Sequence, residues 1–143
     1  MDYRAVFQIA AAGMDFEKRR VDVAALNLAN MHSSAPAGQA PYAVHKVVAQ
    51  PLLVNFSRAL GLAEPTVMPR EVKLVASDSA PRLVQDPGHP HANAQGFVAY
   101  APVDQVTEMV SVSTALRAYE ANVAVASTAR AMAAKALDIG GQG

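Results

Sequence analysis

The chain has 143 residues, no cysteine and a formal net charge of zero, with 12 basic against 12 acidic residues. This size suits one domain, or a small core with extensions. The missing thiols exclude disulfides and cysteine-based zinc sites, and the balanced charge speaks against a nucleic-acid partner, which calls for a basic excess or stripe.

Hydrophobic residues make up 52% of the chain, but 30 residues are alanine, there is no Trp, and only four Phe and four Tyr occur. Alanine favours helix and buries little area, so a monomeric core built from this list is thin. No apolar run approaches the ~18 residues that cross a bilayer. Residues 1–7 lack the basic region and apolar stretch of a secretory signal, so any export is expected to proceed without cleavage of such a signal.

All nine prolines lie between Pro36 and Pro102. Proline in a helix interior costs ~3 kcal/mol, so the chain reads as two proline-free arms around a proline-rich middle. The first arm predicts a helix from about residue 3 to Asn30, with Asp2 as N-cap. Phe7, Met14, Val21 and Leu28 recur every seven residues, Ala10 and Ala24 fill the same side, and Glu17 interrupts it. Asn30, Ser33, Ser34 and Pro36 mark the exit. Lys18, Arg19 and Arg20 lie among Asp15, Glu17 and Asp22, which reads as a solvated helix face.

The middle predicts short strands over Tyr42 to Val48, Val72 to Val75, Leu83 to Val84 and Phe97 to Tyr100, separated by glycines and prolines. Leu52 to Val54 could extend a strand, and Ser57 to Ala63 could form a helical turn or two. The second arm predicts a helix from about Gln105 to Leu137, capped by Asp104 and ended by Gly140 and Gly141. Met109, Val112, Leu116, Tyr119, Val123, Ala126, Ala133 and Leu137 follow a 3-4 spacing, broken once by Arg130. Ten alanines between residues 103 and 137 suit close helix–helix packing. A helix of about 33 residues is roughly 50 Å long, whereas a compact globule of this size has a radius of gyration near 14 Å. Such a helix needs covering by other chains.

The fold class is therefore α+β: two long terminal helices pairing as a coiled-coil-like layer, with a small irregular β-rich middle. Residues 1–31 and 103–139 form a discontinuous helical assembly domain, and 36–102 a β-rich, proline-rich outer segment.

Candidate chemistry is sparse. Asp86, His89 and His91, with His45, could supply imidazole and carboxylate ligands to a metal. But a metal needs three or four convergent ligands and nothing fixes His45 nearby, so His89, Pro90 and His91 read rather as a rigid, exposed turn between strands. No serine sits in a nucleophile elbow, and no phosphate-cradling glycine loop occurs. Arg117 to Asn122 concentrates polar and aromatic residues inside the second helix. Arg117 and Glu120 could pair on one face. Tyr119 and Asn122 are costly at a seam unless partnered, so the patch is either an ordinary solvated turn or a device that sets helix register.

Taken in order, several stretches carry a resemblance. They are N-L-A-N at Asn27–Asn30, Pro41-Tyr42 before Val47-Val48, the run from Pro81 to Pro90 containing D-P-G-H-P, Gly96 to Tyr100, Glu108 to Val110, R-A-Y-E-A-N at Arg117–Asn122, and Lys135 to Leu137. The set closely resembles the bacterial flagellar basal-body rod and hook family over nearly the whole chain, except about residues 49–70.

The resemblance implies a structural, non-enzymatic proximal-rod subunit, needed for motility and without cofactor or small-molecule substrate. It implies passage through the flagellar type III export apparatus and packing with FlgB-, FlgF- and FlgG-type rod proteins and the basal-body ring. The terminal helices would form the inner packed layer. The assembly residues are then Phe7, Met14, Val21, Asn27, Leu28, Asn30, Met109, Leu116, Arg117, Tyr119, Glu120, Asn122, Val123 and Leu137. A helical binding module unrelated to flagella, or a small metal-dependent enzyme using the Asp86/His89/His91 turn, are the alternatives.

Overall fold

The computed structural model of the chain describes residues 3–36, 38–50 and 71–140. Helix α1 spans Tyr3–Ala29 and helix α2 spans Gln105–Gly140. Between them lie β1 (Ser34–Ala35), β2 (His45–Gln50), β3 (Glu71–Ala76), β4 (Arg82–Gln85) and β5 (Phe97–Tyr100). This is the α+β arrangement expected from the sequence, with paired terminal helices and small sheets in the middle. The Asp2 cap and the segments Leu52 to Val54 and Ser57 to Ala63 lie outside the described residues.

Capping chemistry explains where the helices begin and end. The Asp104 carboxylate accepts the Val106 N–H at 3.1 Å and the Thr107 hydroxyl at 2.6 Å, while its carbonyl accepts the first helical bond from Glu108 at 3.0 Å. These satisfy donors that a helix start otherwise leaves open. The Thr107 hydroxyl, then the Val106 N–H, hold the Asp104 carboxyl below its usual range. The stabilisation it gives the helix start is therefore present above about pH 4 and fades as pH falls through the lowered value.

At the other end of α1, the Asn30 side chain donates to the Leu26 carbonyl at 2.9 Å. The Asn30 carbonyl in turn accepts the Ser33 N–H at 3.0 Å and the Ser33 hydroxyl at 2.8 Å. Asn30 thus ends the helix and turns the chain into β1.

Strands β1, β5 and β4 form an antiparallel sheet in that order, with Ser34 opposite Tyr100, Leu83 opposite Ala99 and Val84 opposite Val98. The two-residue strand β1 was not expected: Ser34 and Ala35 read as a helix exit. It pairs because the Asn30–Ser33 turn delivers the chain to the edge of β5, where the Ala101 N–H reaches the Ser33 carbonyl at 3.0 Å. Strands β2 and β3 form a second, two-stranded sheet. Central strand β5 carries the densest burial, with Val98 and the following Ala101 fully buried.

The turn between β4 and β5 is closed by Asn93. Its side-chain oxygen accepts the Gln95 and Phe97 N–H groups, each at 2.9 Å. Gly96 follows at φ 81°, a left-handed conformation that a side chain disfavours, and its carbonyl accepts the Asp86 N–H at 2.9 Å.

The chain divides into two compact units, within α1 after Lys18 and within α2 before Ala115. One unit contains the first part of α1 and the larger part of α2. The other contains Arg19–Val48 and Leu74–Thr114, and so the three-stranded sheet. In the second unit Arg20, expected on a solvated face, is half-buried and donates to the Thr114 hydroxyl at 3.4 Å.

Gly96→Ala is expected to cost about 1–2 kcal/mol. Beyond the strained φ, the new Cβ would lie 3.3 Å from the Pro87 Cβ. Urea denaturation with an unchanged m-value checks this.

Candidate assembly interface

The covered side of α2 is lined mainly by small and polar residues, and that of α1 mixes them with larger apolar ones. On α1 one row of shielded positions runs through Val6, Ala10, Gly13 and Glu17 in the first unit and Arg20, Ala24 and Asn27 in the second; Val23 is also buried, and Met14, Phe16, Val21 and Leu28 are half-buried. On α2 the row is Glu108, Ser111 and Ala115, then Ala118, Asn122, Ala126, Ala129 and Ala133. Both rows keep a 3-4 spacing. They share Ala10, Glu17 and Ala24 on α1 and Ala126 and Ala133 on α2 with the rows picked from the sequence, and otherwise lie beside the large residues of those rows.

Of the expected interface residues, Met109, Leu116, Val123 and Leu137 are 54%, 48%, 43% and 77% exposed. Phe7 and Tyr119 are also exposed, as are Arg117 and Glu120, while Met14, Val21, Leu28 and Asn30 are half-buried. Val106, Val110, Val125, Met132 and Ile139 extend the open apolar surface of α2. The physical reason is size: a close approach between helices has room for alanine and glycine, not for leucine and methionine.

That close approach is visible at Gly13. A Cβ built there would lie 2.6 Å from the Asn122 side-chain oxygen and 2.8 Å from each of the other two amide atoms. Real Cβ contacts do not come so near, so the Asn122 amide occupies the space that any other residue at 13 would fill. Asn122 is held by its own amide N–H, which donates to the Ala118 carbonyl at 2.9 Å. Gly13 was not singled out in the sequence. Its signal is an isolated glycine inside an alanine-rich helix, a choice that costs ~1 kcal/mol against alanine and so implies a packing reason.

R-A-Y-E-A-N therefore divides by helix geometry. Ala118 and Asn122 turn to the shielded side, and Arg117, Tyr119 and Glu120 turn outward.

N-L-A-N divides in a different way. Asn27 is fully buried. Its amide N–H donates to the His45 carbonyl at 2.9 Å, and its oxygen accepts the His45 N–H at 3.0 Å and the Tyr42 hydroxyl at 2.8 Å. Asn27 thus pairs with β2 as a neighbouring strand would, and fixes that strand to α1. Because the Tyr42 hydroxyl gives its proton to Asn27, the 3.2 Å contact with His45 Nδ1 requires His45 to be the donor, which sets its tautomer. Burial, then the Glu108 charge, push the Tyr42 hydroxyl above the usual phenol range.

The histidine turn has other work. His89 Nδ1 accepts the His91 N–H at 3.0 Å, and His91 Nδ1 bonds the Ser34 hydroxyl at 2.9 Å. The two rings meet edge-on at 5.2 Å, and His89 also contacts Tyr100, over which Arg82 lies at 5.7 Å. These contacts tie the turn to β1 and β5. His45 is engaged with Tyr42, and among the described residues no three His, Asp or Glu side chains are placed to hold a metal. A shallow pocket of about 400 Å³ lies between Ala40–Ala43, Ser77–Pro81 and Pro102.

Comparison with known proteins bears on this geometry. Residues 94–139 match the family described as "Flagellar basal body rod FlgEFG protein C-terminal". The chain is 39% identical over 136 residues to the flagellar basal-body rod protein FlgC of Escherichia coli O6:H1, covering 94% of this chain and 96% of that one. It is 34% identical over 141 residues to FlgC of Bacillus subtilis, covering 92% and 94%. It is 31% identical over 123 residues to FlgC of Aquifex aeolicus, covering 86% of each.

Asn27→Ala leaves the His45 N–H and carbonyl and the Tyr42 hydroxyl without their partner, and is expected to cost about 3 kcal/mol in denaturant unfolding. Tyr42 also gives a pH signature. A phenol raised above its usual value of 10.0 contributes fully below that pH, and its contribution is lost as pH rises through the raised value. Stability should fall above about pH 10, and Tyr42→Phe should remove that part of the fall while costing about 1 kcal/mol at neutral pH.

Proposed function

The chain belongs to the FlgC family of flagellar basal-body rod proteins and is a structural subunit of that rod, and we propose that it builds the proximal part of the rod by packing the outer faces of α1 and α2 against neighbouring subunits. The observation that carries this reading is the open apolar surface of α2. Met109, Leu116, Tyr119, Val123 and Leu137 stay exposed although the helix is 36 residues long. An apolar surface of this extent marks an interaction site.

Burying a Leu or Met side chain stabilises by about 1.5–3 kcal/mol. A row of such residues on each subunit therefore supplies strong, non-directional cohesion between subunits. Arg117 and Glu120 stand beside that row and provide orientation, since charges at an interface select partners and register more than they add affinity. Phe7, Met14, Val21 and Leu28 supply the corresponding side of α1. Asn27 and Asn30 contribute through the fold, by presenting β2 and ending the helix, and Asn122 by holding α2 close to α1.

The partners are rod proteins of the FlgB, FlgF and FlgG types and the basal-body ring. The subunit reaches the periplasmic rod through the flagellar export apparatus. The task is mechanical. A rod that transmits torque must resist twist and shear, and interiors packed to native density deform little. The β-rich segment lies outward of the helical layer, and the reading assigns no catalytic step.

Leu116→Asp or Val123→Asp places a charge in the packed layer while leaving the β-rich unit untouched. Each is expected to abolish rod assembly and swimming, with circular dichroism of the purified chain unchanged. Normal swimming by both strains would remove the packing model.

A further inference from the structure

We infer that Gly13 and Asn122 form a register lock between α1 and α2, which fixes the axial offset of the two outer faces before they meet a neighbouring subunit. The inference rests on the rod reading for its consequence, but its geometry stands within the chain.

Gly13 is the sole glycine of α1. The neighbouring positions of its row in the same unit, Val6, Ala10 and Glu17, all carry a Cβ. The Asn122 amide lies 2.6–2.8 Å from where a Cβ at position 13 would be. Sliding α2 by one turn would bring that amide onto Ala10 or Glu17, where a Cβ already fills the space. Swinging aside would cost Asn122 its hydrogen bond to the Ala118 carbonyl. Asparagine and glycine are both poor helix formers compared with alanine. Each is thus unfavourable alone, and the pair is sterically matched in one register. A polar residue at a seam specifies alignment at a cost in stability in the same way.

Alanine-lined helices need such a device more than leucine-lined ones. Identical small side chains every three or four residues fit one another almost equally well after a shift of a turn, so the alanine rows carry little register information of their own.

The test is a double-mutant cycle on the full-length chain, read by denaturant unfolding and by swimming. Gly13→Ala in the natural background is expected to shift the unfolding equilibrium about tenfold toward the unfolded state. In the Asn122→Ala background the same change should shift it about fourfold toward the folded state, as expected of glycine replaced by alanine in an open helix. Stabilisation by Gly13→Ala in both backgrounds, or additive effects, would overturn the lock.

The register claim has its own readout. The double variant Gly13→Ala/Asn122→Ala should be folded at least as firmly as the natural chain yet swim poorly, because its helices can slip. Full swimming by that stable variant would overturn the register role. Deletion of the whole gene without loss of swimming would instead overturn the rod reading and leave the folding cycle standing.

Discussion

Two helices can come together closely only by turning small side chains toward each other, and in this chain that requirement decides where everything else goes. The shielded sides of α1 and α2 carry alanine, glycine and a few polar groups, and Gly13 meets Asn122 with no room for a Cβ. On α2 the large residues are displaced to the open side. Leu116, Val123 and Met109 therefore cannot stabilise the isolated chain much, and remain available for burial between subunits. The same alanine content that makes the internal core thin makes the assembled layer dense. On the proposed packing, stability is deferred from folding to assembly, where burial between subunits would offset the entropy of ordering long helices.

The β-rich segment is attached to the helices by a few polar contacts rather than by a large core. Asn27 is the clearest. A single fully buried amide makes three hydrogen bonds to residues 42 and 45 and so holds β2 against α1. Buried polar groups of this kind are specific because the alternative, leaving them unpaired, is expensive. The histidine turn works similarly, with Ser34 and Tyr100 binding it to the sheet. In the fold, His89 and His91 make structural contacts with each other and with the sheet.

The helices and most strands were legible because their determinants are local. Proline placement, the Asp104 cap and the β-prone runs each act within a few residues, and the boundaries fell within a few residues of those expected. The two-residue strand β1 was not legible, because it exists only through its pairing with β5. The 3-4 spacing of the large apolar residues was read from the sequence, but periodicity cannot say which of two adjacent rows faces the chain's own partner helix and which faces outward. Gly13 resolves that only once Asn122 is placed beside it. The two motifs gave the family at once, yet their residues turned out to have separate tasks: a buried clamp, a helix cap, a register contact and an outward polar face.

The central claim is that the open face of α2 is covered in the assembled rod. The natural chain has no cysteine, so a Leu116→Cys variant places one thiol on that face. Its reaction with a maleimide should be rapid in the purified chain and at least about a hundredfold slower in isolated basal bodies, where burial excludes the reagent. Equal labelling in both states would contradict the account, because a residue that stays reachable in the finished rod cannot be part of what holds it together.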